Sequence, residues 1–277
     1  DAICTRSGQV RMVCIAGPSS AGKTTFVRRL TVQMLVNGVK PISLGLDDYY
    51  RNRAQIPLGD DGEPDLESLD SLDTDLLSDH ITRLVRGEAV AIPRFDFKLG
   101  QRVPEEEWQT LQLHSNQVLM IEGLHGLNPM LAPQVDRNAK FLVFINALTQ
   151  LILDEHNRMP TSKIRFLRRI VRDRRYRGSR ASETLSLWPK VRAGECKFIF
   201  PFQGRSDALF NSGLLYETAV LRNLAWRYLL EVPRTDPNHC VAYRLLKFLE
   251  HFIPVEEKAV PSNSVLREFL GDSSFAY

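Results

Sequence analysis

The hydrophobic residues of this chain fall into two kinds of segment: short uninterrupted apolar runs, and longer stretches in which apolar residues recur at helical spacing. The short runs predict buried strands at 10–17, 40–46, 118–123 and 140–147. The periodic stretches predict helices at 23–38, 66–86, 163–177, 215–231 and 240–253. Strands that alternate with helices in this order are typical of an α/β fold with a mainly parallel sheet that helices cover on both faces.

Two further runs, AVAIPRFDF (89–97) and WQTLQLH (108–114), alternate apolar and polar residues and predict a small hairpin at the edge of the sheet. The length of 277 residues and a hydrophobic content of 43% suffice for one large domain, with or without an appendage. No apolar run reaches the ~18 residues that span a membrane, so no membrane association is expected. The four cysteines contain no CxxC pair, which favours a reduced, cytoplasmic compartment.

The segment GPSSAGKTTF carries the clearest chemical signal. Its Gly-x-x-x-x-Gly-Lys-Thr spacing, between a predicted strand and a predicted helix, is the Walker A pattern of P-loop proteins, and that context argues against a chance match. Glycines let backbone N–H groups turn toward phosphates, and the helix adds its positive end. Lys23 is expected to reach the β- and γ-phosphates of ATP, and Thr24 to ligate Mg²⁺. The predicted nucleotide-binding residues of the loop are Gly17, Ser19, Ser20, Ala21, Gly22, Lys23, Thr24 and Thr25.

The rest of the sequence favours a small-molecule kinase over other P-loop proteins. It contains neither an NKxD-like guanine-reading motif nor an apolar strand that ends in Asp-Glu, as motor ATPases have. The strand VLMIEG ends in one carboxylate, Glu122, which suits an acid that organises Mg²⁺; an incidental glutamate at a turn is the alternative. Asp47 and Asp48 follow the strand 40–46, at the end of parallel strands where ligands bind. One of them would accept the proton of an acceptor hydroxyl, unless both cap the next turn.

In chain order, the segments GPSSAGKTTF, LDDYYR, EPDLESLD, IPRFDF, VLMIEG and RFLRRIVRDRRYRG resemble the uridine kinase and phosphoribulokinase family of P-loop kinases, over about residues 10–215. The resemblance implies a three-layer P-loop NTPase fold. It implies a core at 1–215 with a helical lid at about 160–195, and a C-terminal helical extension at 216–277 packed on that core. It also implies an ATP- and Mg²⁺-dependent kinase that transfers the γ-phosphate to a hydroxyl of a nucleoside.

The resemblance further implies a role for each site residue. Asp47 would be the general base, and Lys23 and Arg169 the other catalytic groups. The implied acceptor-binding residues are Asp47, Tyr50, Asp65, Phe95 and Arg169, of which Asp65 would hold the ribose hydroxyls. The lid arginines Arg172 and Arg177 would join the loop in binding the nucleotide, and Thr24 and Glu122 would hold the metal. Arginine offers planar, forked donors to phosphoryl oxygens, although a solvated or nucleic-acid-facing helix is the other interpretation of this basic run.

The chain departs from the uridine kinase pattern where the pyrimidine base is read. Phe95 stands in place of a tyrosine, and Gly100 in place of a histidine. Ser179 stands in place of a lid arginine, and Leu187 in place of a glutamine. A site that loses its donors to a base edge loses strong discrimination between bases. Phosphorylation of a ribose-like hydroxyl is therefore better supported than the choice of a base.

A narrower resemblance concerns a bacterial group of uridine-kinase-like proteins that can carry an N-terminal region related to threonyl-tRNA synthetase. The segments that carry it are GLHGLNP, ALTQL, FIFPFQ and NSVLREFLG. The start at Asp1 would then mean that an N-terminal region has been removed, and the family relationship implies a homo-oligomer. Two other functions stay open: a kinase of a sugar phosphate, polyol or other small alcohol, and a nucleotide-binding regulatory or RNA-associated module. The net charge of +3 gives almost no support for nucleic acid as a partner.

Overall fold

The computed structural model describes residues 1–6, 8–59, 62–65, 67–96 and 99–275. Its strands are β1 (Met12–Ala16), β2 (Lys40–Gly45), β3 (Ala89–Ile92), β4 (Phe95–Asp96), β5 (Gln101–Arg102), β6 (Gln109–Gln112), β7 (Gln117–Glu122), β8 (Lys140–Asn146) and β9 (Ala208–Asn211). Its helices are α1 (Lys23–Val36), α2 (Thr74–Val85), α3 (Thr161–Tyr176), α4 (Ala181–Phe198), α5 (Glu217–Leu230), α6 (His239–Leu249) and α7 (Arg267–Leu270). Each strand and helix predicted from the hydrophobic pattern is therefore present.

The central sheet has five strands in the order β2-β7-β1-β8-β9. β2 pairs with β7, β7 with β1, and β1 with β8, in each case in parallel. Along β9, the N–H groups of Asp207 and Ser212 donate to the carbonyl oxygens of Leu142 and Asn146, so the register advances in the same direction on both strands. The predicted α/β fold with a mainly parallel sheet and flanking helices is confirmed.

The predicted hairpin pairs as expected but forms a sheet of its own. β3 and β6 are antiparallel, with Ala89 opposite Gln112, and β4 and β5 form a second two-stranded sheet. The helix predicted at 66–86 begins later, because residues 69–71 form a separate 3-10 turn and Asp73 caps α2 by accepting the N–H of Leu76. Leu66, the first residue of that prediction, lies outside the described residues.

The chain divides into two compact units. Unit 1 comprises Asp1–Gly17, Val27–Phe144 and Gly194–Leu209; unit 2 comprises Pro18–Phe26, Ile145–Ala193 and Phe210–Tyr277. In unit 1 the core joins one face of the central sheet to α2, through Met12, Cys14, Leu119, Ile121, Leu142, Leu77, Ile81 and Leu84. In unit 2 the core joins α3, α5, α6 and α7, through Leu167, Ile170, Leu221, Leu224, Leu245, Leu249, Leu266 and Phe269. The predicted boundary at residue 215 stays a prediction.

Each core is built from residues that the hydrophobic pattern places on one side of their element. Leu77, Ile81 and Leu84 recur at helical spacing along α2, and all three are fully buried. The five residues of β1 are buried on both faces, as expected for an inner strand of a parallel sheet. Within the described ranges, no helix combines the length and the apolar character required to cross a membrane.

Candidate functional site

The carboxyl ends of neighbouring parallel strands place the predicted acidic residues of unit 1 at one edge of the sheet. Glu122, the last residue of β7, lies opposite Ile15 of β1 and Gly45 of β2. The chain leaves β2 at Gly45 and enters a 3-10 turn, Leu46–Tyr49, which carries Asp47 and Asp48. This edge is where ligands bind in open α/β sheets.

The two adjacent aspartates have different surroundings. The Asp48 carboxylate accepts a hydrogen bond from the backbone N–H of Phe95 at 3.2 Å, and burial raises the pKa of Asp48 above its ordinary value. Asp47 is exposed. Asp48 therefore holds the β4 segment against the turn, and Asp47 is the aspartate that solvent reaches.

Asp47, Tyr50, Glu67 and Phe95 form a group in unit 1 that we call the acceptor cluster. The rings of Tyr50 and Phe95 are 5.8 Å apart and tilted by 57°. Burial, with the negative charges of Asp47 and Glu67, raises the pKa of Tyr50, so its phenol stays protonated and can donate a hydrogen bond. The structure thus brings together three residues that the resemblance assigned to the acceptor, and it adds Glu67.

Arg102, which the sequence did not single out, fixes the turn that carries the acceptor cluster. Its guanidinium donates to the carbonyl oxygens of Tyr49 and Tyr50, each at 3.0 Å, and to the Asp73 carboxylate at 3.0 Å. Burial alone would raise the pKa of Asp73, but hydrogen bonds from Arg102 and from the Leu76 N–H outweigh it and lower that pKa. One forked side chain therefore ties the turn to the start of α2.

Asp65 and His125 both interact with the backbone at Glu67. The Asp65 carboxylate accepts the backbone N–H of Glu67 at 3.1 Å, which shapes the local turn. His125 is buried, its ring hydrogen-bonds with backbone groups of Glu67 and Ser68, and burial lowers its pKa to about 4. Its Nδ1 has no hydrogen-bond partner among the described residues. His125 lies three residues after Glu122, and no motif of the sequence assigns it a role.

Gly100 occupies the position where the resemblance expects a base-reading histidine. Its φ of +67° is left-handed, its N–H donates to Asp96, and its carbonyl accepts the Arg53 N–H. A Cβ added at Gly100 would lie 3.2 Å from the Cβ of Arg53. The position therefore serves the β4–β5 turn, and a side chain there would be strained.

The phosphate loop (residues 17–25) leaves β1 at Gly17 and continues in unit 2 into the first turn of α1. Ser20 and Gly22 have φ values of +58° and +86°. Left-handed residues turn successive N–H groups toward one side, and a serine in that region is strained, as happens at ligand sites. Lys23 donates from Nζ to the carbonyl oxygen of Pro18 at 3.3 Å, and Ser19 and Thr24 belong to the same loop.

Three arginines of α3 bind the phosphate loop. Arg165 donates to the carbonyl oxygen of Ser19 at 2.9 Å, and Arg169 donates to the Ser19 hydroxyl at 2.8 Å. Arg168 donates to the carbonyl oxygen of Ser20 at 3.3 Å. The i, i+3, i+4 spacing places all three on one face of α3. Sequence reasoning assigned Arg169 to the site but missed Arg165 and Arg168, because a run of basic residues does not by itself show which of them face inward.

Arg168 is held from the other side by two elements of unit 2. Its Nε lies 2.6 Å from the Glu217 carboxylate, with both side chains almost completely buried. Its guanidinium also donates to the carbonyl oxygen of Ser212 at 2.8 Å, and the Ser212 hydroxyl donates to the carbonyl oxygen of Ala21. The loop, α3 and the start of α5 are therefore joined by one buried polar network.

The remaining predicted lid arginines gather around one buried acid of α3. Asp173 lies within 3.0 Å of Arg172, 3.2 Å of Arg169 and 3.7 Å of Arg177. Arg172 and Arg177 were assigned to the nucleotide by the resemblance, and in the structure both lie against Asp173. Their contact with a nucleotide stays a prediction, whereas Arg169 bridges Asp173 and the loop.

The loop has the donor set that a polyphosphate requires. It combines left-handed backbone at Ser20 and Gly22, the amino end of a 14-residue helix, and the Lys23 ammonium. The Ser20 hydroxyl oxygen is buried without a hydrogen-bond partner among the described residues. The described ranges hold no group of three or more His, Cys, Asp or Glu suited to a metal. Mg²⁺ beside a nucleotide needs only one or two protein ligands, and the side-chain oxygens of Thr24 and of Glu122 are each of the kind that it binds. Their role as metal ligands stays a prediction.

The chain is similar to several known proteins. The sequence model of the Phosphoribulokinase / Uridine kinase family matches residues 12–219. A uridine kinase of Brevibacillus brevis is 27% identical over 207 residues, which are 74% of this chain and 86% of the relative. A uridine kinase of Chloroflexus aurantiacus is 24% identical over 203 residues, 73% of this chain and 87% of the relative. The solved structure of a possible uridine kinase from Bacillus stearothermophilus gives a TM-score of 0.43 at 19% identity, over 76% of this chain and 96% of that one.

Proposed function

Because the chain belongs to the phosphoribulokinase/uridine kinase family of P-loop small-molecule kinases, we propose that it transfers the γ-phosphate of ATP to a hydroxyl of a nucleoside. The observation that carries this proposal is the conformation of the phosphate loop. Its left-handed residues Ser20 and Gly22, and the hydrogen bonds from Arg165 and Arg169 to Ser19, support a site for a polyphosphate. Membership of the family supports phosphoryl transfer to a small molecule. That the small molecule is a nucleoside is our proposal.

On the donor side, the loop N–H groups and Lys23 bind the β- and γ-phosphates. Arg169 donates to the Ser19 hydroxyl of the loop, which supports the proposal that its guanidinium would stabilise charge on the transferred phosphoryl group. Thr24 and Glu122 would hold Mg²⁺, which supplies charge neutralisation at the phosphates. Arg172 and Arg177 would turn from Asp173 toward the nucleotide when the lid closes, which excludes water from the reaction.

On the acceptor side, we assign Asp47 as the general base that accepts the proton of the attacking hydroxyl. Its neighbour Asp48 is partly buried and accepts the Phe95 N–H, whereas Asp47 is exposed to solvent. The neighbouring rings of Tyr50 and Phe95 would pack against the acceptor, and the protonated Tyr50 hydroxyl can donate a hydrogen bond. Asp65 would hold the ribose hydroxyls.

One observation favours a second candidate acceptor. Gly100 serves a tight turn, so the position that would read a base edge carries no side chain. Without donors to a base edge, discrimination between bases is weak. A sugar phosphate, polyol or other small alcohol is therefore the alternative acceptor.

The other alternative, a regulatory or RNA-associated module, would use the basic helix α3 as an exposed surface. Two arginines in the first half of α3, Arg165 and Arg168, are instead buried and donate hydrogen bonds to the phosphate loop. Nucleic-acid affinity depends on cations that reach phosphates from solvent. The orientation of α3 thus supports a role in the nucleotide site over a role in RNA binding.

The experiment that tests the proposal is ADP release from Mg·ATP with each ribo- and deoxyribonucleoside added in turn, beside a panel of sugars and polyols and a tube without acceptor. We expect stimulation by one or a few nucleosides. Stimulation only by a sugar or polyol would replace the acceptor and keep the kinase. Equal slow release in every tube, together with salt-sensitive RNA binding, would favour the regulatory alternative.

A further inference from the structure

A residue near the C-terminus binds the start of α1. Glu268, on α7, accepts two hydrogen bonds from Thr25 through the same carboxylate oxygen, Oε2. The backbone N–H of Thr25 lies at 3.1 Å and its hydroxyl at 2.8 Å. Thr25 is completely buried, and both residues belong to unit 2. A segment 243 residues away along the chain therefore covers the end of the phosphate loop.

Glu268 is held in this position by the segment around it, residues 264–271, which we call the C-terminal clasp. Leu266, Phe269 and Leu270 are fully buried in the core of unit 2, and Phe269 lies under the guanidinium of Arg168 at 5.2 Å. A Cβ added at Gly22 would collide with Val265 of the clasp. The clasp is therefore part of the folded unit, and it contacts the loop at two separate residues.

The Thr25 N–H, which donates to Glu268, is a donor of the kind that binds the phosphates of a nucleotide. The first N–H groups of a helix have no partner within the helix, and in a P-loop they bind phosphate oxygens. A carboxylate on the Thr25 N–H takes up one such donor, and its negative charge repels a polyphosphate placed beside it.

We propose that Glu268 competes with the nucleotide for Thr25, so that the clasp sets the affinity of the phosphate loop for its phosphate donor. This inference rests on the proposed ATP-dependent function. The loop would then bind a nucleotide only in those molecules in which Glu268 has left Thr25. The smaller the fraction of such molecules, the higher the apparent Kd for the nucleotide. Glu268 is then a determinant of the donor affinity and has no part in proton or phosphoryl transfer.

The test is direct binding of ATP and of ADP, without any acceptor, to the purified 277-residue chain by titration calorimetry. Glu268→Gln keeps the size of the side chain and removes its charge, and Glu268→Asp keeps the charge and shortens the reach. The matched control is Glu257→Gln, since Glu257 precedes the clasp and pairs with Arg175 at 3.4 Å, away from the loop. Thermal unfolding of each variant checks that the clasp stays folded.

We expect Glu268→Gln to lower the Kd for ATP and ADP by about tenfold, Glu268→Asp to give a smaller decrease, and Glu257→Gln to give none. An unchanged or higher Kd in Glu268→Gln, with measurable binding in the parent chain, would overturn the competition and show that Glu268 only caps α1. Absence of nucleotide binding in the parent and in both Glu268 variants would overturn the proposed ATP-dependent function, and the competition with it.

Discussion

The carboxylate of Asp48 accepts the backbone N–H of Phe95 at 3.2 Å. This bond ties the turn after β2 to β4 and assigns a structural role to one of two adjacent aspartates. Asp47, the other one, is exposed, and its charge acts on Tyr50. Asp48 therefore shapes the acceptor cluster, and the role of the exposed Asp47 toward a substrate stays a prediction.

Replacing Asp47 is expected to stop phosphoryl transfer while leaving nucleotide binding intact. In Asp47→Ala, the hydroxyl of the acceptor has no carboxylate to take its proton, so kcat should fall by about 100-fold or more. The Kd for ATP, measured by calorimetry, should change by less than about twofold, because Asp47 is assigned to the acceptor. The matched control is Asp48→Ala, which removes the acceptor of the Phe95 N–H and should lower the free energy of unfolding by about 1–2 kcal/mol. An Asp47→Ala variant that keeps most of its rate would show that another group is the base.

Arg102 is expected to position the acceptor cluster. Arg102→Lys keeps the charge but cannot donate to Tyr49, Tyr50 and Asp73 from one rigid fork. Because small displacements of reacting groups are costly, we expect kcat to fall by about 10-fold to 100-fold with little change in the Kd for ATP. Arg94→Lys is the control, since the Arg94–Glu107 pair is exposed. An equal fall in kcat in Arg94→Lys would mean that the contacts of Arg102 are not the cause of the fall in kcat.

The buried pair Arg168–Glu217 is expected to be the costliest ion pair to break in unit 2. Glu217→Gln removes the charge that compensates a completely buried guanidinium, so the free energy of unfolding should fall by about 3–5 kcal/mol. The comparison is Glu231→Gln at the exposed pair Arg174–Glu231, where a loss of about 1 kcal/mol or less is expected. Urea denaturation followed by circular dichroism measures both. An equally small decrease in the free energy of unfolding in both variants would show that other groups compensate the charge of Arg168 when Glu217 is replaced.

His125 is expected to make stability depend on pH. Its pKa is about 4 in the folded chain and 6.5 when exposed, so between these values the unfolded chain binds a proton that the folded chain does not. The free energy of unfolding should therefore fall as the pH is lowered from 6.5 to 4, by about 3 kcal/mol in total. His125→Gln should flatten this part of the stability profile, and substitution of the exposed His114 should leave it unchanged. An unaltered profile in His125→Gln would mean that the ring is not buried in neutral form.

Much of the fold could be predicted from the hydrophobic pattern, because strands such as β1 and β7 are uninterrupted apolar runs. The missed elements lack that signal. α4 contains Pro189 within the helix, which usually breaks helical hydrogen bonding. β9 and α7 have only four residues each, too few for a periodic pattern. The location in the cytoplasm, the homo-oligomer and the synthetase-related N-terminal region stay predictions.

The residues of the candidate site also fall into those that the sequence indicated and those that it did not. The phosphate loop, Asp47 and Tyr50 could be proposed from the sequence because each belongs to a motif of contiguous residues, and their roles stay predictions. Arg102 and Arg168 could not, because their partners lie on distant segments and an arginine alone does not indicate whether it is buried. Glu268 lies in the segment NSVLREFLG, which carried the narrower resemblance, but nothing in that segment indicated that this glutamate contacts Thr25.

If the chain acts as proposed, the terminal phosphate of ATP passes to a small-molecule hydroxyl. A transfer assay follows the label from γ-³²P-ATP after incubation with the small-molecule fraction of a cell extract, for the parent chain and for Asp47→Ala. We predict label in a small phosphate monoester with the parent chain and none with the variant. Label found in inorganic phosphate, protein or RNA, at equal levels for both chains, would contradict the account.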